Sequence, residues 1–161
     1  MLSLKLLRRR IASIRSTQQI TRAMYMVSAA RLRRAQERII NARPYAEKLR
    51  EVITHLFERA ERPYHPLMEA RELRRVEILV LSTEKGLCGS YNINLFREVE
   101  RLMAREDWEV SFTILGRKGW DYFRRRYPER IKRSYVEQFR HLDYEVARTL
   151  AGELIGDFLK G

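Results

Sequence analysis

The sequence predicts an α/β protein in which a long N-terminal coiled-coil helix projects from an open, mainly parallel, three-layer α/β sheet domain. Three observations carry that expectation. Apolar and small residues return at a heptad period through the first 57 residues, and no Gly falls between Ser3 and Phe57. A Pro-marked break follows, at Pro63 and Pro66. Beyond it the period becomes extended, and three short β-branched runs alternate with amphipathic helical stretches.

The first stretch sets the architecture. One heptad position reads Leu4, Ile11, Gln18, Tyr25, Leu32, Ile39, Ala46, Ile53, and the other reads Leu7, Ile14, Thr21, Ser28, Ala35, Ala42, Leu49, Leu56. A seam sustained over eight heptads is the pattern of a coiled coil, not of a helix lying on a globular core. At 1.5 Å per residue the helix is roughly 80 Å long and calls for a partner. Ser3 is its candidate N-cap. Pro44 lies inside the register and removes one backbone donor, which predicts a bend near residues 41–45 and not an end. The chain therefore divides into a coiled-coil helix over residues 1–62, a linker over 63–75 and an α/β domain over 76–161.

Within the domain, Val76 to Ser82 (VEILVLS) is an almost unbroken apolar run, the pattern of a strand buried on both faces. Asn92 to Glu106 places Ile93, Phe96, Val99, Leu102 and Met103 on one helical face. Glu109 to Leu115 predicts a second strand, Lys118 to Tyr127 a short helix stopped by Pro128, Ile131 to Glu137 a third strand, and Tyr144 to Leu159 a last helix. Helices of this length between strands join parallel neighbours.

Charge and composition narrow the function. Residues 1–43 carry Lys5 and ten Arg against Glu37 alone, so most of the chain's net +12 sits on the first helix. A single Cys excludes an intramolecular disulfide, and no apolar run approaches the roughly 20 residues of a membrane span. The acid-free start MLSLKLLRRRIASIRS also reads as a mitochondrial transit peptide. Because the heptad register continues far past any cleavable segment, a bacterial cytoplasmic protein is the plainer reading.

Chemistry-bearing patterns are weak. The loop Thr83-Glu84-Lys85-Gly86-Leu87-Cys88-Gly89-Ser90 stands where α/β folds bind phosphate. It matches neither G-x-G-x-x-G nor G-x-x-x-x-G-K-[ST], and its glycines serve a tight turn with positive φ. Cys88 is remote in sequence from His55, His65 and His141, and a thiol nucleophile needs a base within reach. No paired Cys or His spacing suggests a metal. These residues point to a non-enzyme with no cofactor. The basic helix has three readings: a solvated coiled-coil face, a contact for an acidic protein, or a nucleic-acid-binding arm on an α/β domain. Tyr25 is the only aromatic before Tyr45, which weighs against stacking on bases.

IASIRSTQQITRAMYMVSAARLRRAQ, RPYAEKLREV, HPLME and LSTEKGLCGSYNINL, in that order, resemble the γ subunit of F-type ATP synthase, the central rotor shaft. The resemblance runs from the first residues to near the end of the chain, with two departures. Tyr25 stands where the family more often has a charged residue. The chain stops at Gly161, where the family continues through further strands into a second long helix, and so reads as a fragment, a shortened relative or a chain whose remainder lies on another. The resemblance implies a non-catalytic subunit of the F1 sector, at the cytoplasmic face of the bacterial inner membrane, that couples proton flow through the membrane ring to conformational changes of catalytic β subunits. Its implied partners are the α and β subunits, the ε subunit, the c-ring and an antiparallel C-terminal helix missing from this chain, with no direct nucleic-acid contact. By the same resemblance Met24, Arg31, Arg33 and Arg34 match the region facing the acidic lever of β. Gly86, Leu87, Cys88 and Gly89 match the foot, near ε and the c-ring.

Overall fold

The computed structural model describes residues 3–59, 65–104, 108–137 and 143–160. Pro63, His141 and the expected helical residues 105–106 lie outside them. The chain separates into two compact units, Met1–Arg62 and Pro63–Gly161, each described by itself.

The first unit is one helix, α1, Leu4–Arg59, 56 residues long and uninterrupted at Pro44. None of its side chains is buried. Its Glu-poor first turn leaves the N-terminal dipole uncompensated, while Arg59 complements the other end.

The second unit contains, in chain order, β1 (Arg75–Leu81), α2 (Tyr91–Met103), β2 (Glu109–Leu115), α3 (Arg117–Arg126), β3 (Ile131–Tyr135) and α4 (Tyr144–Lys160), with short 3₁₀ turns at Pro66–Met68 and Pro128–Arg130. The strands lie in the order β1-β2-β3 and both pairings are parallel. An open, three-stranded parallel sheet is thus the architecture expected from the alternating pattern.

Side-chain alternation assigns the layers. Ile78, Val80, Phe112 and Ile114 share one face, in register across β1 and β2. Against them pack Phe96 and Val99 of α2 and Phe123 of α3, forming the core with Val80, Val110, Phe112 and Ile114. Phe123 meets Phe112 at 4.9 Å and Phe96 at 5.4 Å between ring centroids. Glu77, Thr113, Arg133 and Tyr135 point to the other face, where α4 docks through Glu153 and Asp157.

Three expectations are corrected in detail. β1 is not buried on both faces: only Val80 is buried, because β1 is an outer strand and Glu77 interrupts its second face. The doubly buried strand is β2, which has a neighbour on each side. Ile93 is exposed, since the core-facing stripe of α2 begins one turn later, at Leu95 and Phe96. The third strand stops at Tyr135, two residues early, and Glu137 takes φ 71° while its N–H donates to Glu84 Oε1.

The start of α3 is capped by the two residues that follow β1. A helix leaves its first amides without intrahelical acceptors, and the N-cap here is Gly116, which has no side chain. Thr83 O accepts from Lys118 N at 3.0 Å, and Ser82 Oγ accepts from Gly119 N at 2.7 Å. The Ser82 hydroxyl hydrogen is shared between the carbonyls of Leu115 at 3.2 Å and Gly116 at 3.1 Å.

On the opposite face a register shift between Phe112 and Thr113 bulges β3, so that the consecutive Lys132 and Arg133 reach the same carboxylates. Arg133 lies 2.6 Å from Asp157, 3.3 Å from Glu77 and 3.3 Å from Glu153, and Lys132 lies 3.1 Å from Glu77 and 3.6 Å from Asp157. The Tyr135 hydroxyl donates to Glu153. At the end of α4, Arg71 donates to the Phe158 carbonyl and stands 4.5 Å from the centroid of the Phe158 ring. Because α4 buries no residue fully, these charged contacts carry much of its docking.

That docking is expected to weaken at both ends of the pH scale. The hydrogen bond from Arg133 holds the Asp157 carboxyl below its ordinary value. A depressed carboxylate contributes stability above its unfolded pKa, near 3.9, and loses it as pH falls through the folded value. Burial, then the bond to Glu153, pushes the Tyr135 hydroxyl up to about 12. A raised phenol disfavours the folded state as pH climbs from the unfolded value, near 10, toward the folded one. Amide exchange of α4 should therefore be slowest relative to the intrinsic rate at intermediate pH. Protection unchanged down to pH values below both the unfolded and the folded pKa of Asp157 would refute the electrostatic account.

Candidate partner-binding surfaces

On α1 the seam residues named from the heptads are exposed. Leu4, Ile11, Leu32 and Ile39 each keep half or more of their surface accessible. The stretch lined by Ser13, Ile14, Thr17, Gln18, Thr21, Arg22 and Tyr25 forms a shallow groove along one side of the helix. Thr17 and Thr21 satisfy their hydroxyls on the carbonyls four residues back, at 3.0 Å and 2.9 Å, so the seam's polar section consumes part of its own hydrogen-bonding capacity.

Helical geometry sorts the four expected β-lever residues. All are exposed. At 100° per residue Arg31 sits within about 20° of Met24, Arg34 about 60° further round, and Arg33 on the opposite side from Met24. Arg33 also donates to Glu37 at 3.0 Å, one turn on. The structure therefore groups Met24, Arg31 and Arg34 and sets Arg33 apart.

The second expected site, Gly86 to Gly89, is a turn tied together by a residue the sequence reading did not single out. Asn92, in the first turn of α2, accepts from Thr83 N at 3.2 Å and donates to Thr83 Oγ1 at 2.8 Å and to Cys88 Sγ at 3.1 Å. Gly89 has φ 59°, as expected of a glycine turn. Gly86 does not; Leu87 takes the second left-handed position, at φ 63°, where its side chain is 95% exposed. Cys88 is half-buried and bonded within the turn. The sequence signal for Asn92 was available: an amide side chain one residue into a helix after a glycine turn is placed to bond the loop behind it.

A basic stretch was hidden by averaging. Residues 44–161 are nearly balanced, yet Arg117, Lys118, Arg124, Arg125, Arg126 and Arg130 stand against only Asp121 and Glu129 within residues 117–130. Arg117, Arg124 and Arg130 are paired with Glu137, Asp121 and Glu129, so the stretch is not one free surface. A sliding charge count finds this stretch; a count over the whole domain does not.

A cavity of about 1000 Å³ lies between the sheet and α4, lined by Leu79, Val110, Ile131, Leu154, Asp157 and Phe158 among others. Its charged lining includes Arg71, Glu77, Lys132 and Asp157, which hold α4, together with Arg75, Glu109 and Arg130 among others. Among the described residues no group of His, Cys, Asp or Glu is arranged to hold a metal ion. The described strands run in the unreversed order β1-β2-β3, so they form no switch-point crevice of the kind in which doubly wound sheets seat nucleotides.

Fold and surface together define a class: a coiled-coil helix with an uncovered seam, continued in the chain by an open, parallel α/β unit. Comparison with known proteins gives the family. Residues 3–161 match the family model described as ATP synthase. Similar curated proteins include the ATP synthase gamma chain of Geobacter sp. (strain M21), 41% identical over 162 residues, with 99% of this chain and 56% of the relative covered. That of Chlorobium phaeobacteroides (strain BS1) is 42% identical over 168 residues, with 100% and 57% covered. The rotor of Euglena gracilis mitochondrial ATP synthase in rotational state 1 shares the fold, with TM-score 0.56 and 13% identity over 94% of this chain and 52% of that one. The chain belongs to the ATP synthase γ-chain family. It spans little more than half the length of the curated relatives it matches.

Proposed function

We propose that this chain acts in the central stalk of the F1 sector as a non-catalytic rotor element, coupling proton translocation through the membrane ring to the conformational changes of catalytic β subunits. The observation that carries this reading is α1: a 56-residue helix, free of Gly, with an apolar seam and no buried side chain. An antiparallel second helix covers that seam, and the pair is stiff enough to transmit torque. The α and β subunits surround the shaft. Met24, Arg31 and Arg34 meet an acidic segment of β, with Arg33 as an outer charge. The Gly86–Gly89 turn, with Leu87 held outward, is a further protein contact, assigned by family resemblance to the ε subunit and c-ring side. The complex sits peripherally at the cytoplasmic face of the bacterial inner membrane. The bacterial relatives support that location, and no helix among the described residues is long and apolar enough to cross a membrane.

The test is replacement of Arg31, Arg33 and Arg34 by Ala in an assembled complex. Exposed ion pairs contribute about 0–1 kcal/mol each, so the triple variant should weaken assembly or coupling by roughly tenfold, with nucleotide affinity of isolated β unchanged. Arg33→Ala alone should be close to silent, since that side chain points away from the other two and is paired with Glu37. Filter binding at two salt concentrations covers the opposite possibility: nanomolar affinity for RNA or DNA at physiological salt, lost in the triple variant, would replace the shaft reading with a nucleic-acid-binding arm.

A further inference from the structure

We propose that the helix covering the α1 seam carries carboxylates in the rows bordering its own apolar face, and that the arginines beside the seam select it by that charge. This rests on the reading of α1 as one half of a helical pair, and it names the chemistry of the other half.

Charge on α1 is sorted by heptad position. With the seam at positions a and d, the bordering e row holds Arg8, Arg15, Arg22, Arg43 and Arg50, and the bordering g row holds Arg10, Arg31, Arg38 and Arg59. Neither row contains an acid. The carboxylates of α1, on Glu37, Glu47, Glu51 and Glu58, all fall on the outer positions b and f, where they offset the outer basic residues Lys5, Arg9, Arg33, Arg34 and Lys48. A helix whose charge served only solvation would place the excess on that outer side. Here the outer side is nearly neutral and the excess borders the seam. Each arginine of the e row stands four residues past a seam residue, one turn on and about 40° round. Arg22 accordingly lines the groove formed with Ile14, Gln18, Thr21 and Tyr25. The ion pairs on α1 join Arg33 to Glu37 and Lys48 to Glu51, both on the outer side, and no carboxylate among the described residues pairs with the e row.

These rows choose the occupant. A second copy is disfavoured in either orientation. An antiparallel self-pair that sets Leu4 on Leu56 and Ile11 on Leu49 brings Arg8 to Arg50 and Arg15 to Arg43, and a parallel one brings Arg10 to Arg15 and Arg38 to Arg43. A bilayer is disfavoured because the apolar stripe is narrow and is broken by Gln18, Thr21 and Ser28, whereas a membrane-surface helix needs a broad apolar face. Nucleic acid would neutralise the arginines and leave the exposed Leu and Ile of the seam in water. A helix with an apolar seam between acidic rows satisfies the seam and its borders together.

Two four-heptad peptides with Leu in their seams serve as probes, one with Glu throughout its e and g rows and the other with Lys there. Like charge keeps each peptide from pairing with itself, and charging both rows covers either orientation. By fluorescence anisotropy of labelled peptide, the full chain should bind the Glu peptide about tenfold more tightly than the Lys peptide, with the gap narrowing at high salt. Arg8→Glu, Arg15→Glu and Arg22→Glu together should invert the preference. Lys5→Glu, Arg9→Glu and Lys48→Glu together make the same charge change on the outer side and should preserve it. Glu is a good helix former, and circular dichroism checks that both variants keep α1. Equal binding of the two peptides, or an unchanged preference in the seam-side variant, would reduce the arginines to solvated charge and overturn the proposal while leaving the paired-shaft reading in place. Binding of neither peptide would overturn both. Sedimentation showing a dimer held through α1 and undisturbed by the Glu peptide would make the occupant a second copy. Tighter capture of phosphatidylglycerol vesicles or of single-stranded RNA at physiological salt, lost in the seam-side variant, would overturn the proposal in favour of those partners.

Discussion

Gly116→Ala is expected to lower the stability of the α/β unit by about 3–5 kcal/mol, combining a left-handed backbone with overpacking. Gly116 has φ 107°, and a Cβ there would stand 2.2 Å from the backbone oxygen of Ser82, an atom that no rotamer change can move. Gly119 is crowded differently. A Cβ on it would meet Ser82 Oγ at 2.7 Å and Ile114 Cγ2 at 3.0 Å, so Gly119→Ala should be partly rescued by Ser82→Ala, whereas Gly116→Ala should not. Urea unfolding followed by tryptophan emission isolates this unit, because both tryptophans, Trp108 and Trp120, lie in it. A loss below about 1 kcal/mol for Gly116→Ala would contradict the close approach of β1 to the start of α3.

Phe123→Ala should cost about 3–5 kcal/mol, the range for truncating a fully buried aromatic. Its ring has no exposed surface and touches Phe112 and Phe96 across the contact between α2, α3 and the sheet. Phe123→Leu retains most of the burial and should cost clearly less. If the two variants unfold at the same urea concentration, Phe123 is not the centre of that core.

Much of this fold is legible because two periods alternate cleanly. Glu109–Leu115 was readable as a strand to the residue, since a β-branched run between turn signals has no competing helical period. Burial was less legible, because it depends on neighbours along the sheet. VEILVLS has the composition of a central strand, yet Glu77 faces Arg133, and both are recruited into the clasp under α4. That clasp needs a bulge in β3, and nothing in IKRSY announces one. At the candidate surfaces, residue types were readable and directions were not. Arg31, Arg33 and Arg34 look like one cluster in a line of text, but a turn of 3.6 residues puts Arg33 on the far side. Asn92 had a readable position and no obvious partner, because its role comes from a loop that folds back on it.

Pro44 gives α1 an uneven elasticity. With no N–H at Pro44, the carbonyl of Ile40 has no helical donor four residues on, and the hydrogen-bonded ladder that resists twisting is thinned at that one turn. Elsewhere along the helix the backbone ladder has no second proline to interrupt it. A torsional load applied between the ends of α1 would therefore be stored unequally, with the greatest angular strain about 60 Å from its start. In mechanical terms the helix is a stiff rod with a single compliant element, and Pro44→Ala would make it uniformly rigid.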